Sequence, residues 1–180
     1  MKLIINIPAY NEAETIGKTI KNLPRSFDGI DEVLIQVIDD GSSDDTANVA
    51  RSADADIVVS HATNRRLGTT FNTAVESALK NGVDIMVNID ADGQFDSDEI
   101  PLLLEPVLTG KADMTVGDRF KQGSANGIPV IKNTLNKLGA KIVGIFLNTE
   151  IDDLTCGFRA HNRETLLKLN RVTGFTYTQE

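Results

Sequence analysis

Two aspartates one residue apart, Asp90 and Asp92, follow directly on the apolar run Ile85 to Ile89. Carboxylates at i and i+2 just past a buried strand cannot both face the core, and together they concentrate negative charge. Hard divalent cations take oxygen ligands, and Mg²⁺ commonly binds one or two carboxylates together with substrate phosphates and water. Gln94 adds a carbonyl oxygen two residues further on. The same stretch also reads as a solvated turn in which Asp96, Ser97 or Asp98 caps a helix containing Ile100.

A second acidic pair, Asp39-Asp40, ends another apolar run and leads into Gly41-Ser42-Ser43. Ser42 with Asp45, or Ser43 with Thr46, fits a helix cap, and Gly41 suits a tight turn. Capping leaves Asp39 and Asp40 without a task. Carboxylates at strand ends are placed to accept hydrogen bonds from a base or a ribose hydroxyl. The first apolar run ends in Pro8-Ala9-Tyr10-Asn11-Glu12. There Asn11 reads as a cap with Glu14 as its capping-box partner, while Tyr10 suits either stacking on a nucleobase or half-buried packing.

The elements that position these residues are short runs rich in Ile and Val: Leu3 to Ile7, Val33 to Ile38, Ile57 to Val59, Ile85 to Ile89 and Met114 to Val116. Near-continuous runs of this kind are strands buried on both faces, as in parallel sheets. Helical periodicity lies between them. Phe71, Ala74, Val75, Ala78 and Leu79 follow i, i+3, i+4, i+7, i+8, with Gly82 at the C-terminal cap. Ala13, Ile16, Ile20 and Leu23 form a thinner stripe ending at Pro24, and Ile100, Leu103, Leu104, Val107 and Leu108 another, shortened or kinked by Pro106. The expected fold is α/β: a three-layer α/β/α sandwich with a mostly parallel central sheet. Ligands of such sheets bind beyond the carboxyl ends of the strands, where the acidic motifs gather. The fifth run leads into Gly117-Asp118-Arg119, which brings a cation to that edge.

Composition narrows the classes. The 180 residues carry a net charge of −8, which argues against a nucleic-acid partner, since phosphate contacts need a basic face. One cysteine, Cys156, forms no internal disulfide, and one cysteine with two histidines makes a poor structural zinc site. No stretch approaches the roughly 18 apolar residues of a membrane span, so the expected location is cytoplasmic. A helix marked by Ile131, Leu135, Leu138, Ile142 and Ile145 carries Lys132, Lys137 and Lys141; it suits core packing or peripheral contact with an anionic membrane surface. None of the 14 glycines is separated from another by a single residue, which excludes the dinucleotide fingerprint, and Gly110-Lys111 is followed by Ala112, which excludes a Walker A loop.

Together the segments resemble family 2 glycosyltransferases, inverting enzymes with a GT-A nucleotide-diphospho-sugar fold. The matching stretches are Ile7 to Glu12, Val37 to Thr46, Asp90 to Gln94, Gly117 to Phe120 and Asp153 to Arg159, in family order across nearly the whole chain. The subgroup they look most like is the dolichyl-phosphate mannosyltransferase and polyprenyl-phosphate glycosyltransferase type. The resemblance implies a single domain over 1–180, with a nucleotide-binding half at 1–118 and an acceptor-side half at 119–180. Because relatives usually continue beyond the equivalent of Thr178-Gln179-Glu180, it also implies either a domain truncated at its C-terminus or a minimal form.

Carried over position by position, the resemblance assigns nucleotide-sugar binding to Pro8, Ala9, Tyr10, Asn11, Glu12, Ile38, Asp39, Asp40, Gly41, Ser42, Asn64, Gly68, Asp90, Ala91, Asp92 and Arg119. It gives Asp90, Asp92 and Gln94 to a Mg²⁺ or Mn²⁺ ion, and catalytic roles to Asp153 and Arg119. One departure stands out: Arg66 occupies a position that is glycine in many relatives, within Asn64-Arg65-Arg66-Leu67-Gly68. The implied reaction is metal-dependent transfer of a hexose from a GDP-mannose or UDP-glucose class donor to polyprenyl or dolichyl phosphate. A glycan or other hydroxyl acceptor, or a nucleotide-sugar binding module without turnover, are the alternatives. The sequence carries no signal of oligomeric state.

Overall fold

A computed structural model of the chain describes residues 1–92, 97–117 and 156–169. Strands β1 (Lys2–Ala9), β2 (Glu32–Asp39), β3 (Ile57–Ser60), β4 (Ile85–Asn88) and β5 (Met114–Val116) fall on the five apolar runs. A further strand, β6 (Arg159–Asn162), has no apolar run to announce it. The helices are α1 (Ile16–Lys21), α2 (Thr46–Ser52), α3 (Arg66–Lys80), α4 (Ile100–Leu108) and α5 (Arg163–Leu169). The chain divides into two compact units, Met1–Thr115 with Phe158–Glu180 and Val116–Gly157. The sheet core and the acidic motifs at 8–92 belong to the first.

The six strands lie in the order β3-β2-β1-β4-β6-β5. β1 runs parallel to β2 and β4, β2 parallel to β3, and β6 antiparallel to β4. The crossovers through α1 and α2 step from β1 towards β3, and the crossover through α3 returns to the other side of β1. Right-handed crossovers therefore set α1 and α2 on one face and α3 on the other. The contacts agree: α1 touches α2, and α3 touches α5. This is the α/β/α sandwich read from the sequence. The direction of winding reverses between β1 and β4, and a crevice opens at the carboxyl ends of strands at such a point.

The apolar stripe of α3 is buried as its spacing requires: Phe71, Ala74, Val75 and Ala78 pack with Ile4, Ile38, Val83, Met86 and Leu166. The helix closes with a Schellman turn, in which Gly82 N–H donates to Leu79 O at 3.1 Å and Val83 N–H to Ala78 O at 3.2 Å. Gly82 takes φ +69°, as that turn demands. Pro106 lies inside α4, which ends two residues later at Leu108.

One polar chain crosses this core. Asn6 on β1 stands opposite Gln36 on β2 and Asn88 on β4. Gln36 Nε2 donates to Asn6 Oδ1 at 2.9 Å, and Asn6 Nδ2 donates to Asn88 Oδ1 at 2.6 Å. All three residues are 0% exposed. These amide–amide bonds form only in this alignment and favour one register for the three strands, because a slip by one residue would separate them within the core.

The caps expected before α1 and α2 are corrected. α1 starts at Ile16 rather than just after Asn11, and its N-cap Thr15 makes no side-chain capping bond. Asn11 instead adopts φ +56°, and its Oδ1 accepts from Ser43 N–H at 2.8 Å. α2 starts at Thr46 behind Asp45, again without a side-chain cap. Ser42 spends its hydroxyl oxygen on Asn11 N–H at 2.9 Å, and Asp44 takes Thr46 N–H at 3.1 Å. In both places polar residues that resemble caps join one loop to the other. α4 follows a 3-10 turn at Ser97–Glu99, where Ser97 Oγ donates to Asn22 O at 3.2 Å rather than capping the helix.

Candidate active site

A cleft of about 300 Å³ opens at the carboxyl ends of the strands. Pro8, Ala9, Tyr10 and Glu12 line it from the end of β1, Asp40 from the end of β2, and Asp90, Ala91 and Asp92 from beyond β4. Asn64, Arg66, Leu67 and Thr70 complete the wall from the entrance to α3. Four of these residues are acidic, and Arg66 is the one basic residue among them.

Each wall is fixed by identifiable bonds. The segments at 11–13 and 42–46 are joined by Asn11 N–H to Ser42 Oγ, Glu12 N–H to Thr46 Oγ1 at 2.8 Å, and Ala13 N–H to Asp44 Oδ2 at 3.1 Å. The last of these, with the Thr46 hydroxyl, holds the Asp44 carboxyl below the usual carboxylate range, the hydroxyl hydrogen bond being the larger cause. The Asp90-x-Asp92 turn is anchored from α1, where Thr19 Oγ1 donates to Ala91 O at 2.9 Å. Ala91 is buried, so the two carboxylates flank a fixed point of the backbone. Tyr10 is 47% exposed at the cleft rim, leaving its ring face accessible to a flat ligand.

The third wall is set by Asp40, which is 5% exposed. Its carboxylate accepts from Arg65 N–H at 2.9 Å and Arg66 N–H at 2.8 Å. Gly41 lets this loop come close: its φ is +72°, and a Cβ there would stand 2.4 Å from the Thr63 carbonyl carbon. Arg66 itself sits at φ +69°, a left-handed conformation that favours glycine.

Sequence-derived site residues therefore separate into groups. Pro8, Ala9, Tyr10, Glu12, Asp40, Asn64, Asp90, Ala91 and Asp92 share the cleft. Asp39 closes the turn below it, accepting from Ser42 N–H at 3.0 Å, while Asn11 and Ser42 join the loops behind it. Ile38 lies in the core and Gly41 beneath the 63–64 backbone. Gly68 is in the first turn of α3 and is not among the lining residues. Gln94, Arg119 and Asp153 lie outside the described residues, as does the lysine-bearing segment at 131–145. Three residues with a place here, Leu67, Thr70 and His61, were given no role by the sequence reading. Leu67 and Thr70 line the cleft, and His61 holds Asp40 from behind, with Nδ1 2.7 Å from Asp40 Oδ1. An isolated histidine after a strand gives no spacing signal.

An ion of the Mg²⁺ or Mn²⁺ kind fits this donor set. The cleft offers hard carboxylate oxygens from Asp90 and Asp92, and such an ion needs only one or two of them when a phosphate supplies the rest. Among the described residues no group of three His, Cys, Asp or Glu side chains forms a self-sufficient metal cage. Two carboxylates beside an open cleft match a site completed by its substrate.

Comparison with known proteins matches the family model described as "Glycosyl transferase family 2" over residues 4–169. The chain belongs to this family. The domain is 32% identical over 171 residues to an undecaprenyl-phosphate mannosyltransferase of Micrococcus luteus, covering 92% of this chain and 68% of that protein. It is 33% identical over 175 residues to a polyprenol monophosphomannose synthase of Mycolicibacterium smegmatis, covering 94% of this chain and 64% of that one. Among solved structures, glucosyl-3-phosphoglycerate synthase from Mycobacterium tuberculosis, in complex with Mn²⁺, uridine diphosphate and phosphoglyceric acid, superposes with a TM-score of 0.67 at 23% identity. That match covers 91% of this chain and 56% of the other. The family 2 domain thus shares the GT-A fold and spans about two thirds of the length of the curated relatives. No helix among its described residues is long and apolar enough to cross a membrane.

Proposed function

We propose that this family 2 domain transfers a hexose from a GDP- or UDP-sugar to a polyprenyl phosphate, with inversion at the anomeric carbon and with Mg²⁺ or Mn²⁺ bound. The observation that carries the reading is the meeting of Asp90 and Asp92 with Tyr10, Glu12 and Asp40 in one cleft at the winding reversal. Relatives named for undecaprenyl-phosphate and polyprenol substrates support the choice of acceptor.

In this reading the nucleoside lies along the ends of β1 and β2, with the Tyr10 ring against the base. The diphosphate lies towards Asp90 and Asp92, which would hold the cation. A divalent ion held there would supply electrostatic stabilisation of the negative charge that builds on the leaving nucleoside diphosphate. The chain's own part is to fix geometry. Thr19 pins the Asp90-x-Asp92 turn through Ala91, and Asp40 pins the Arg65–Arg66 backbone. Electron flow is simple: an acceptor oxygen attacks the anomeric carbon in line, the bond to the donor phosphate breaks, and the pair leaves with the diphosphate. A phosphate acceptor is already anionic and needs no strong base, whereas a hydroxyl acceptor must lose its proton. In this reading Asp153 would take that proton and Arg119 would meet the phosphate or the acceptor.

The test is a product assay. GDP-mannose and UDP-glucose are each incubated with polyprenyl phosphate and Mn²⁺, and glycolipid is separated by extraction and chromatography. Formation of a polyprenyl-phosphate hexose supports the proposal. Nucleotide binding with no transfer to any phosphate or hydroxyl acceptor replaces it with a binding module.

A further inference from the structure

His61 follows β3 and is not among the residues lining the cleft, yet its ring is engaged on both sides. Nδ1 is 2.7 Å from Asp40 Oδ1, and Nε2 is 2.9 Å from Thr73 Oγ1 on α3. The two side chains of the His61–Asp40 pair are only 8% and 7% exposed. Asp40 also accepts Arg65 N–H on Oδ1 and Arg66 N–H on Oδ2. A carboxylate that already faces backbone donors on both oxygens presents an acceptor to the ring, so Nδ1 carries the hydrogen and the tautomer is fixed by its partner.

The consequence reaches the cleft through the backbone. Arg66 holds φ +69°, a conformation an L side chain enters only when its surroundings over-determine it. The Asp40 carboxylate supplies that determination by taking the Arg65 and Arg66 amides, and His61 orients the carboxylate. Arg66 and Leu67, which line the cleft, leave the loop at this turn. The His61 backbone N–H donates in addition to Asp39 O at 2.9 Å, which extends the β2–β3 pairing to the residue that carries the ring.

We infer that His61 is a positioning residue for nucleotide binding: by orienting Asp40 it holds the left-handed turn at Arg66 that shapes one wall of the cleft. The inference rests on the reading of this cleft as a nucleotide-sugar site. It predicts an effect on nucleotide affinity that is separable from folding, because Thr73 and the core of α3 stay in place when the imidazole is removed.

The experiment measures the dissociation constants of GDP and UDP, each with Mn²⁺, by calorimetry on the wild type, His61→Ala, His61→Asn and Thr73→Val, with melting curves recorded in parallel. His61→Ala weakens the preferred nucleotide about tenfold at a temperature where it is fully folded. His61→Asn, whose amide N–H leaves the side chain at the place of Nδ1–H, restores affinity to within about threefold of wild type. Where turnover is followed, the loss falls on KM rather than kcat. Wild-type protein that binds neither nucleotide removes the reading beneath this inference, and the inference with it. Wild-type binding that His61→Ala leaves unchanged, or a loss that His61→Asn does not restore, overturns the inference alone. Should His61→Ala not fold, Thr73→Val decides: a weakening of about threefold supports the positioning role, and unaltered affinity rejects it.

Discussion

Gly41 and Thr63 lie closer than any side chain would permit: a Cβ on Gly41 would stand 2.4 Å from the Thr63 carbonyl carbon and 2.7 Å from the Asn64 nitrogen. The conflict is with backbone, which cannot swing aside, and Gly41 also holds φ +72°. Gly41→Ala should therefore destabilise the domain by about 2–4 kcal/mol and displace the 63–66 loop from the cleft. Chemical denaturation measures the first effect and nucleotide titration the second. A variant within about 0.5 kcal/mol of wild type would contradict the close approach.

Arg66 offers the opposite case. It pays for a left-handed backbone that glycine adopts without cost, at φ +69°. Arg66→Gly should leave stability unchanged or raise it by up to about 1 kcal/mol, while Arg66→Ala keeps the strained φ and gains nothing. Melting curves of the two variants distinguish them. A glycine variant less stable than the alanine variant would show that side-chain contacts of Arg66 outweigh its backbone strain.

The amide chain through the sheet predicts non-additive effects among its three residues. Asn6→Ala removes one hydrogen-bond partner from each of Gln36 and Asn88, both 0% exposed. The expected loss is about 3–5 kcal/mol, because two buried hydrogen bonds are lost and a space is left in the core, although Gln36 keeps its bond to Ala74 O at 3.2 Å. Replacing all three residues together with apolar ones of similar size should cost less than Asn6→Ala alone. Denaturant midpoints with unchanged slopes would measure both.

How far the sequence could be read follows from the same physics. Strands β1 to β5 were legible because short runs rich in Ile and Val, too brief for a helix, read as strands buried on both faces. β6 was not, because Arg159-Ala160-His161-Asn162 has no apolar pattern. Its place is set by antiparallel pairing with Met86 and Val87, which buries Arg159 and His161 to 4% and 1% exposure. The acidic motifs were legible as a group since the strand-end rule gathers them on one edge. Roles inside the group were not: Asp39 and Asp40 are adjacent and alike, but alternation turns one towards the Ser42 turn and the other towards the 65–66 amides. Local cap patterns failed for a related reason. Asn11 and Ser42 satisfy a cap rule, but a partner on the neighbouring loop lies nearer than a helix end.

His161 gives a pH dependence of stability. Burial, with Arg159 nearby as a smaller cause, pushes its pKa down from 6.5 to about 4. Its ring nitrogens have no hydrogen-bond partner among the described residues, and its ring lies 5.9 Å from that of Phe71. The unfolded chain then binds a proton near pH 6.5 that the folded chain refuses until about pH 4. The contribution is fully present above the unfolded value and is lost as pH falls through this window, to a total of about 3 kcal/mol. His161→Phe should flatten that part of the stability curve. An unaltered slope between the two values would mean that another group titrates there.

The central claim is that Asp90 and Asp92 grip a donor diphosphate through a divalent cation. Calorimetric titration of GDP and UDP into the wild type, Asp90→Asn and Asp92→Asn, each with Mn²⁺ and with EDTA, tests it most directly. The account predicts binding of one nucleotide that requires Mn²⁺ in the wild type and weakens at least about tenfold in either variant. Equal affinity in all three proteins, or binding indifferent to the chelator, would contradict it.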